Sequence, residues 1–224
     1  EIGVRLVGSE MCIRDSNSIL LCTKNKQYLF DIGTHELIQL ESPIKEEITY
    51  IAASTDNQYF LASNHKIYCV ELTQGQLKII KHPELDNFHI ANYIYFHPET
   101  QTLVIGTLLD GIYLYNIHSR QLISVHNGLQ DTNVNAIIAN KEKKNEVFIA
   151  TNGAGVYKLN LDTYELTSFL NADHNHSNKM NGNIIHDIYM DDDQKLWMAV
   201  YPIGITVYSL SLIHISEPTR RTPI

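Results

Sequence analysis

Two short stretches of the sequence carry side chains of the types that bind metal ions. His174 and His176 offer two imidazoles, and Asp191, Asp192 and Asp193 offer three consecutive carboxylates. A metal site needs a third and a fourth ligand placed by the fold, and none stands close to the histidines in sequence. The aspartates lack the glycine and the bidentate glutamate of an EF-hand loop. We therefore interpret these stretches as a polar loop and an acidic β-turn, and we predict no metal and no other cofactor.

Nucleophilic catalysis has no signature in the chain either. Serine, histidine and aspartate are plentiful, but there is no G-x-S-x-G elbow, and Cys22 and Cys69 lie in apolar strands, where a thiol is usually a small buried residue. Paired carboxylates for glycoside hydrolysis stay open as an alternative, because residues far apart in sequence can converge in a folded chain. Trp197, the only tryptophan, is a candidate for stacking on a sugar, but its place inside a strand favours a packing role. We assign no catalytic residue.

The charge of the chain limits its partners. The formal net charge is -8, and the 17 lysine and arginine residues form no cluster. Because neutralising the phosphates of a nucleic acid or the surface of an anionic membrane needs such clusters, we expect neither as a partner. No uninterrupted apolar run is long enough to predict a membrane span. A neutral or modestly polar ligand fits this composition better.

The two ends of the chain differ from the middle. Four of the five arginines lie in the outer segments, and only Arg120 lies between residues 17 and 209. The segments 1–16 and 210–224 resemble translated sequencing-adapter read-through, as found at the ends of assembled sequence fragments. We exclude both from the fold as non-native, with a native arm and tail as the alternative.

The middle of the chain is a repeat. A unit of strand, polar turn, strand ending in a small residue, short loop, strand, turn and strand recurs five times, and the third copy reads IANYIYF, TLVIGT, IYLYNI and QLISVH for its four strands. The spacings between the residues that close the second strand are 40, 44, 44 and 49. These closing residues are Thr23, Ser63, Thr107, Thr151 and Val200. The predicted units are 17–47, 48–89, 90–133, 134–183 and 184–209.

This interval is the length of a β-propeller blade. The inner strands are apolar on both faces, as expected for sheets that pack between two neighbours. Gly111, Gly155 and Gly204 end the loop between the second and third strands, where a positive φ turns the chain without a Cβ clash. We predict an all-β chain of about four and a half to five four-stranded blades, forming an open arc of a larger, seven-bladed ring. A β-sandwich, the alternative, has no reason to repeat at this interval.

A propeller also predicts where a binding site lies. The loops that join second to third strands, and the connections between blades, meet on one face of the ring. From these loops and connections we nominate Asp110, Asn133, Asn152, Asn183 and Tyr201 as ligand-binding residues. A role as a turn or cap residue is the alternative for each of them, and the sequence favours it.

Two of the units carry a family resemblance. The segments 126–137 (HNGLQDTNVNAI) and 183–204 (NIIHDIYMDDDQKLWMAVYPIG) resemble the repeats of two-component regulator propellers, whose blades have a Gly-Leu segment, an Asn-Val or Asn-Ile opening, an acidic turn and a Leu-Trp strand. The loop 171–182 (NADHNHSNKMNG) is similar to the Asn-rich connection before such a blade. Val200 departs from the pattern, since the family has threonine there.

The resemblance implies a non-enzymatic sensor module. The resemblance implies that the chain is part of the periplasmic region of a hybrid histidine kinase and response regulator of the Bacteroidetes type. It also implies that the ligand is an oligosaccharide or a similar carbohydrate. The partners it implies are the remaining propeller blades, the downstream signalling domains that carry the kinase activity, and a second copy in a homodimer. A protein-interaction scaffold and a propeller polysaccharide hydrolase or lyase are the two alternatives. In an open arc, the two end faces are expected to expose apolar surface.

Overall fold

The computed structural model describes residues 18–23, 26–54, 58–88, 91–125, 128–129, 133–172 and 180–210. In these residues the chain forms 18 β-strands and one 3-10 helix, Pro83–Leu85. Every strand pairs antiparallel with its neighbour in the chain. The all-β prediction is therefore confirmed. The end segments set aside above lie outside the described residues, apart from Leu210.

The strands form five sheets, each a meander that follows the chain order. The first sheet consists of β1 (Ser18–Cys22), β2 (Gln27–Asp31) and β3 (Leu37–Gln39). The second consists of β4 (Ile48–Ala53), β5 (Gln58–Ser63), β6 (Ile67–Thr73) and β7 (Gln76–Ile80). The third consists of β8 (Ala91–His97), β9 (Thr102–Thr107), β10 (Ile112–Asn116) and β11 (Leu122–Val125). The fourth consists of β12 (Val134–Ala139), β13 (Glu146–Thr151), β14 (Val156–Asn160) and β15 (Leu166–Leu170). The fifth consists of β16 (Ile184–Met190), β17 (Lys195–Tyr201) and β18 (Gly204–Ser209).

Successive sheets pack face to face through hydrophobic clusters. In β13, Val147 and Ile149 join the cluster shared with the third sheet, while Phe148 and Ala150 join the cluster shared with the fifth. All six residues of β13 are buried, because its two faces meet different neighbours. The second strands of the blades are therefore apolar throughout, where a half-solvated sheet would alternate. This stacking of four-stranded meanders is the predicted propeller architecture.

The fifth sheet has one open face. Leu196, Met198 and Val200 of β17 are buried against the fourth sheet, but Trp197 between them is 40% exposed. Trp197 stands three residues before the closing residue of its blade, and the residues at that position in the second, third and fourth blades are at most 1% exposed. These equivalent residues are Phe60, Val104 and Phe148. On the same sheet, large apolar side chains are also exposed at Tyr189, Ile205 and Val207.

Candidate functional site

The predicted site residues all lie at one end of the blades. In an antiparallel meander, the inner strand begins beside the point where the second strand ends, and the register shows this pairing for Val134 with Thr151 and for Ile184 with Tyr201. The loops after the second strands therefore lie next to the connections that enter the inner strands. We call this end the upper face. It contains all five nominated residues.

In the first four blades, a serine or threonine hydroxyl makes a hydrogen bond within the loop of the upper face. Thr107 Oγ1 donates to the carbonyl of Gly111 at 2.9 Å and accepts the Asp110 amide at 2.8 Å. Thr151 repeats this pattern with Gly155 at 2.9 Å and with Ala154 at 3.0 Å. The small residue that closes each second strand is thus a turn former, which explains why serine or threonine recurs there.

The fifth blade uses backbone contacts where the other blades use a hydroxyl. Val200 offers no side-chain hydrogen bond, and its carbonyl accepts the Ile203 amide at 2.9 Å. The Tyr201–Pro202 peptide bond within this loop is cis. Gly204, which ends the loop, has a φ of 109°, and Gly155 in the fourth blade has a φ of 79°, as predicted from their positions.

Three of the nominated asparagines bind neighbouring loops together. The Asn152 amide donates to the Asn133 carbonyl at 3.0 Å, and the Gly155 amide donates to the Asn183 carbonyl at 2.9 Å. Asn183 Oδ1 also accepts the Ala172 amide at 2.6 Å. The fourth-blade loop is therefore anchored both to its own inner strand and to the entry of the fifth blade. Asn152 itself is exposed, while Asn133 and Asn183 are half-buried.

Sequence reasoning missed a row of polar residues on the inner strands. Each of the four inner strands β4, β8, β12 and β16 has a β-bulge near its start, at the second residue of β4, β8 and β12 and at the third residue of β16. These residues are Thr49, Asn92, Asn135 and His186. Asn92 Nδ2 donates to the Val134 carbonyl of the next blade at 2.7 Å, and Asn135 Nδ2 donates to the Ile185 carbonyl at 2.8 Å. The available signal was a polar residue after the first one or two apolar residues of each inner strand.

The bulges bring new groups to the nominated site. Asn135 Nδ2 lies 3.5 Å from Asn152 Oδ1, so Asn133, Asn135 and Asn152 form one cluster on the fourth blade. In the fifth blade the His186 ring packs edge to face against Tyr201, with 5.9 Å between the ring centroids. Tyr201 is 58% exposed and presents its ring to solvent.

Asp110 hydrogen bonds within its own turn and belongs to neither of these clusters. Its amide donates to Thr107 within its own turn, and the carboxylate side chain is exposed. By position in the loop it corresponds to Ala154 of the fourth blade, because both donate to the closing threonine. The structure therefore places Asp110 on the upper face of the third blade, and within the described residues it makes no hydrogen bond to the asparagine cluster.

The second blade carries a partly buried carboxylate contact on the upper face. Ser63 Oγ lies 2.6 Å from Glu46 Oε2, and the Tyr68 hydroxyl donates to Glu46 Oε1 at 2.8 Å. The hydrogen bond from the Ser63 hydroxyl is the main cause that holds the pKa of the Glu46 carboxyl below its usual range. Partial burial opposes it, and the Tyr68 hydroxyl adds a smaller lowering contribution. Burial and the Glu46 carboxylate raise the pKa of Tyr68, so its hydroxyl stays protonated as the donor. Glu46 is thus a charged anchor of the turn.

The chemistry of the upper face is that of neutral polar recognition. It presents amides from the asparagines, a phenol ring, an imidazole and the Asp110 carboxylate. Amide groups both donate and accept hydrogen bonds, and an exposed ring gives an apolar surface for C–H groups. In the described residues no group of three or more His, Cys, Asp or Glu side chains is arranged to hold a metal ion. His174 and His176 lie outside the described residues. No helix in the described part of the chain is long and apolar enough to cross a membrane.

Comparisons with solved structures bear on the fold. The chain is similar to the extracellular domain of BT4673, described as a hybrid two-component system of B. thetaiotaomicron, with a TM-score of 0.65, 18% identity and coverage of 85% of this chain and 26% of that one. The corresponding domain of BT3049 gives a TM-score of 0.61, 18% identity and coverage of 85% and 25%. The β-propeller domain of Cps50 (Swd1) from Myceliophteria thermophila gives a TM-score of 0.66 at 12% identity, over 97% of this chain and 67% of that one.

These similarities identify the class of fold. The three structures share the arrangement of the blades at identities of 18% or less, so the chain is a β-propeller by its fold. It spans about a quarter of the length of the two sensor domains. No protein-family model and no functionally curated protein matches the chain in sequence.

Proposed function

We propose that the chain is a non-enzymatic ligand-sensing part of the extracellular or periplasmic region of a hybrid two-component sensor. The observation that carries the proposal is the cluster of Asn133, Asn135 and Asn152, which joins the fourth-blade loop to the inner strands at the upper face. The fold likeness to the extracellular domains of BT4673 and BT3049, together with the repeat resemblance in the fourth and fifth units, supports a sensing role.

The proposed ligand is a carbohydrate such as an oligosaccharide. Sugar hydroxyls both donate and accept hydrogen bonds, as the side-chain amides of asparagine do, and the C–H faces of a sugar pack on an exposed ring such as that of Tyr201. The upper face offers these two kinds of group in neighbouring blades. The net charge of -8 is also consistent with a ligand that carries no negative charge.

The geometry supports a route from binding to signalling. Asn135 contacts Asn152 in its own blade and donates a hydrogen bond to the Ile185 carbonyl of the next blade. A ligand that binds Asn152 therefore perturbs Asn135, and with it a contact between two blades. A shift there changes how neighbouring blades pack. We propose that this change passes to the remaining blades and to a homodimer, and from them to downstream kinase domains.

The open face of the fifth sheet supports a larger ring. Trp197 occupies the position whose counterparts are buried by a following blade, and it makes an unusual polar contact, with Nε1 donating to Asp191 Oδ2 at 2.7 Å. We propose that a further blade of the same protein covers this face, as part of a ring of seven.

Binding measurements on the intact protein test the site. Asn152→Ala removes the amide but leaves the backbone bond to Asn133, and Tyr201→Ala removes the exposed ring. For each change we expect an affinity loss of about tenfold for a neutral oligosaccharide, as measured by titration calorimetry. Thr167→Ala, on the exposed outer strand of the fourth blade, is the control and should leave the affinity unchanged. Equal affinity for all four proteins would refute the upper-face site.

A protein-interaction scaffold is the second candidate, because the same face carries exposed apolar side chains. Leu109 is 67% exposed and Ile203 is 46% exposed, each at the tip of a loop after the second strand. Exposed apolar side chains at loop tips are typical of surfaces that contact a protein partner. Partner capture that is lost in Leu109→Asp, with sugar binding absent from the parent protein, would favour the scaffold.

A further inference from the structure

The end of the blades opposite the upper face carries a cleft between the third and fourth sheets. Its volume is about 520 Å³, within the range of roughly 300–1,000 Å³ typical of small-molecule sites. The turns after β10 and β14 form its rim, with Asp162 and Tyr164 on one side and Gln121 on the other. We call this the lower cleft. It shares no residue with the site described above.

Two residues that line the cleft stand at positions where the repeat changes between blades. In the next interface, between the fourth and fifth sheets, Lys158 lies over the Phe169 ring at 3.8 Å and stands 4.0 Å from the Glu146 carboxylate. The equivalent positions in the third blade, 44 residues earlier, are Leu114 and Thr102. Leu114 and Thr102 have shorter side chains that form no such ion pair, and both line the cleft.

The lining of the cleft combines an apolar floor with uncharged polar groups. Leu114 and Leu161 are at most 4% exposed and form the floor. The side-chain amide of Gln121 and the hydroxyl of Tyr164 make no hydrogen bond to the described residues, although both line the cavity. Tyr164 is held in place by its backbone, which has a φ of 59° and donates to the Asn160 carbonyl at 2.9 Å.

The two carboxylates of the cleft are already engaged. Asp162 Oδ2 accepts from Asn145 Nδ2 at 2.5 Å, and Glu99 Oε2 lies 3.5 Å from the buried His97 ring. No lysine or arginine of the described residues lines the cavity, so a negatively charged ligand has no partner there. A fixed aromatic ring, a free amide and anchored carboxylates suit a molecule rich in hydroxyl groups.

We propose that the lower cleft binds a neutral polyhydroxylated small molecule the size of a mono- or disaccharide. This binding site is independent of the upper face and of the sensor function proposed above. The aromatic ring of Tyr164 packs against the ligand, and Gln121 together with the outer oxygen of Asp162 hydrogen bonds to its hydroxyl groups.

Binding of defined sugars to the intact protein tests the proposal. The probes are glucose, galactose, xylose, maltose and cellobiose, with galacturonate as an anionic comparison and putrescine as a cationic one. Binding is measured by saturation-transfer NMR and by calorimetry. Tyr164→Asn removes the ring while keeping a residue that tolerates a positive φ, and Gln121→Ala removes the amide. We expect saturable binding of at least one neutral sugar, weakened about tenfold by Tyr164→Asn.

A filled cleft provides the second test. Leu114→Lys combined with Thr102→Glu copies the Lys158 and Glu146 pair into the third blade and should abolish binding while the far-ultraviolet circular dichroism stays unchanged. Thr167→Ala, on the exposed outer strand of the fourth blade and outside both sites, is the control and should leave this binding intact. Three results would overturn the proposal: no neutral sugar binds, galacturonate or putrescine binds in preference, or the filled variant binds as the parent does.

Discussion

Replacing Gly106 with alanine probes how closely the third and fourth sheets pack. A Cβ at this position would lie 2.8 Å from Val134 Cβ and 3.3 Å from Ile137 Cδ1, and it would contact Val134 Cγ1 still more closely. Val134 and Ile137 are both fully buried, so neither side chain can swing into solvent. The backbone of Gly106 does not have a positive φ, so the penalty is steric.

The size of the effect follows from overpacking. An extra methyl group in a packed core costs about 1–3 kcal/mol, and the entropy of the unfolded chain returns about 0.5–1 kcal/mol when glycine becomes alanine in a strand. We therefore expect Gly106→Ala to lower the free energy of unfolding by about 1–2 kcal/mol. Urea unfolding followed by far-ultraviolet circular dichroism measures the change, with the denaturant slope checked for constancy.

A double-mutant cycle isolates the steric contact. Val134→Ala alone leaves a cavity and should cost about 2 kcal/mol, but in combination it removes the Cγ1 atom that the new methyl group meets. The double variant should therefore be more stable than the two single losses imply, by about 1 kcal/mol. Additive losses would refute the proposed contact between Gly106 and Val134.

Three further predictions concern acid stability, the open face and the loops. Because the folded pKa of Glu46 is held below its unfolded value of about 4.3, its charged form stabilises the fold above that value, and this stability is lost as the pH falls through the folded pKa. Between about pH 5 and pH 3, the urea midpoint of unfolding should therefore fall less in Glu46→Gln than in the parent protein. An equal fall in the two proteins would contradict the Ser63 contact. In a longer form of the protein that adds the following blade, the fluorescence of Trp197 should shift to shorter wavelength, and an unchanged maximum would argue against coverage of this face. Thr151→Val removes both hydroxyl contacts of the fourth-blade loop. It should lower the free energy of unfolding by about 1–2 kcal/mol, seen as a lower midpoint of thermal unfolding. An unchanged midpoint would show that Gly155 alone sets the turn.

The repeat made most of the fold predictable. The recurrence of a closing residue at blade-length intervals located the second strands, and the apolar runs such as 103–105 indicated sheets covered on both faces. The glycines that end the upper loops were predicted to have positive φ, and Gly155 and Gly204 do. These features are local, since a strand, a turn and a backbone angle depend on a few consecutive residues.

The candidate site was predicted only in part. Asn133, Asn152 and Asn183 do lie on connected loops, but the contact of Asn135 with Asn152 was not anticipated. It depends on a β-bulge, which moves one residue out of the alternating pattern that sequence reading assumes. The bulge turns the Asn135 side chain toward the next blade, where it meets the Ile185 carbonyl.

The sequence by itself determined the number, order and length of the blades, because each blade is one repeat with its own strands and turns. Tertiary structure alone decided which surfaces remain open. Trp197 is exposed because no blade of the described residues covers its face, and the lower cleft lies where the third and fourth sheets meet. Both outcomes depend on what lies across an interface from a residue, and the pattern along a single strand does not contain that information.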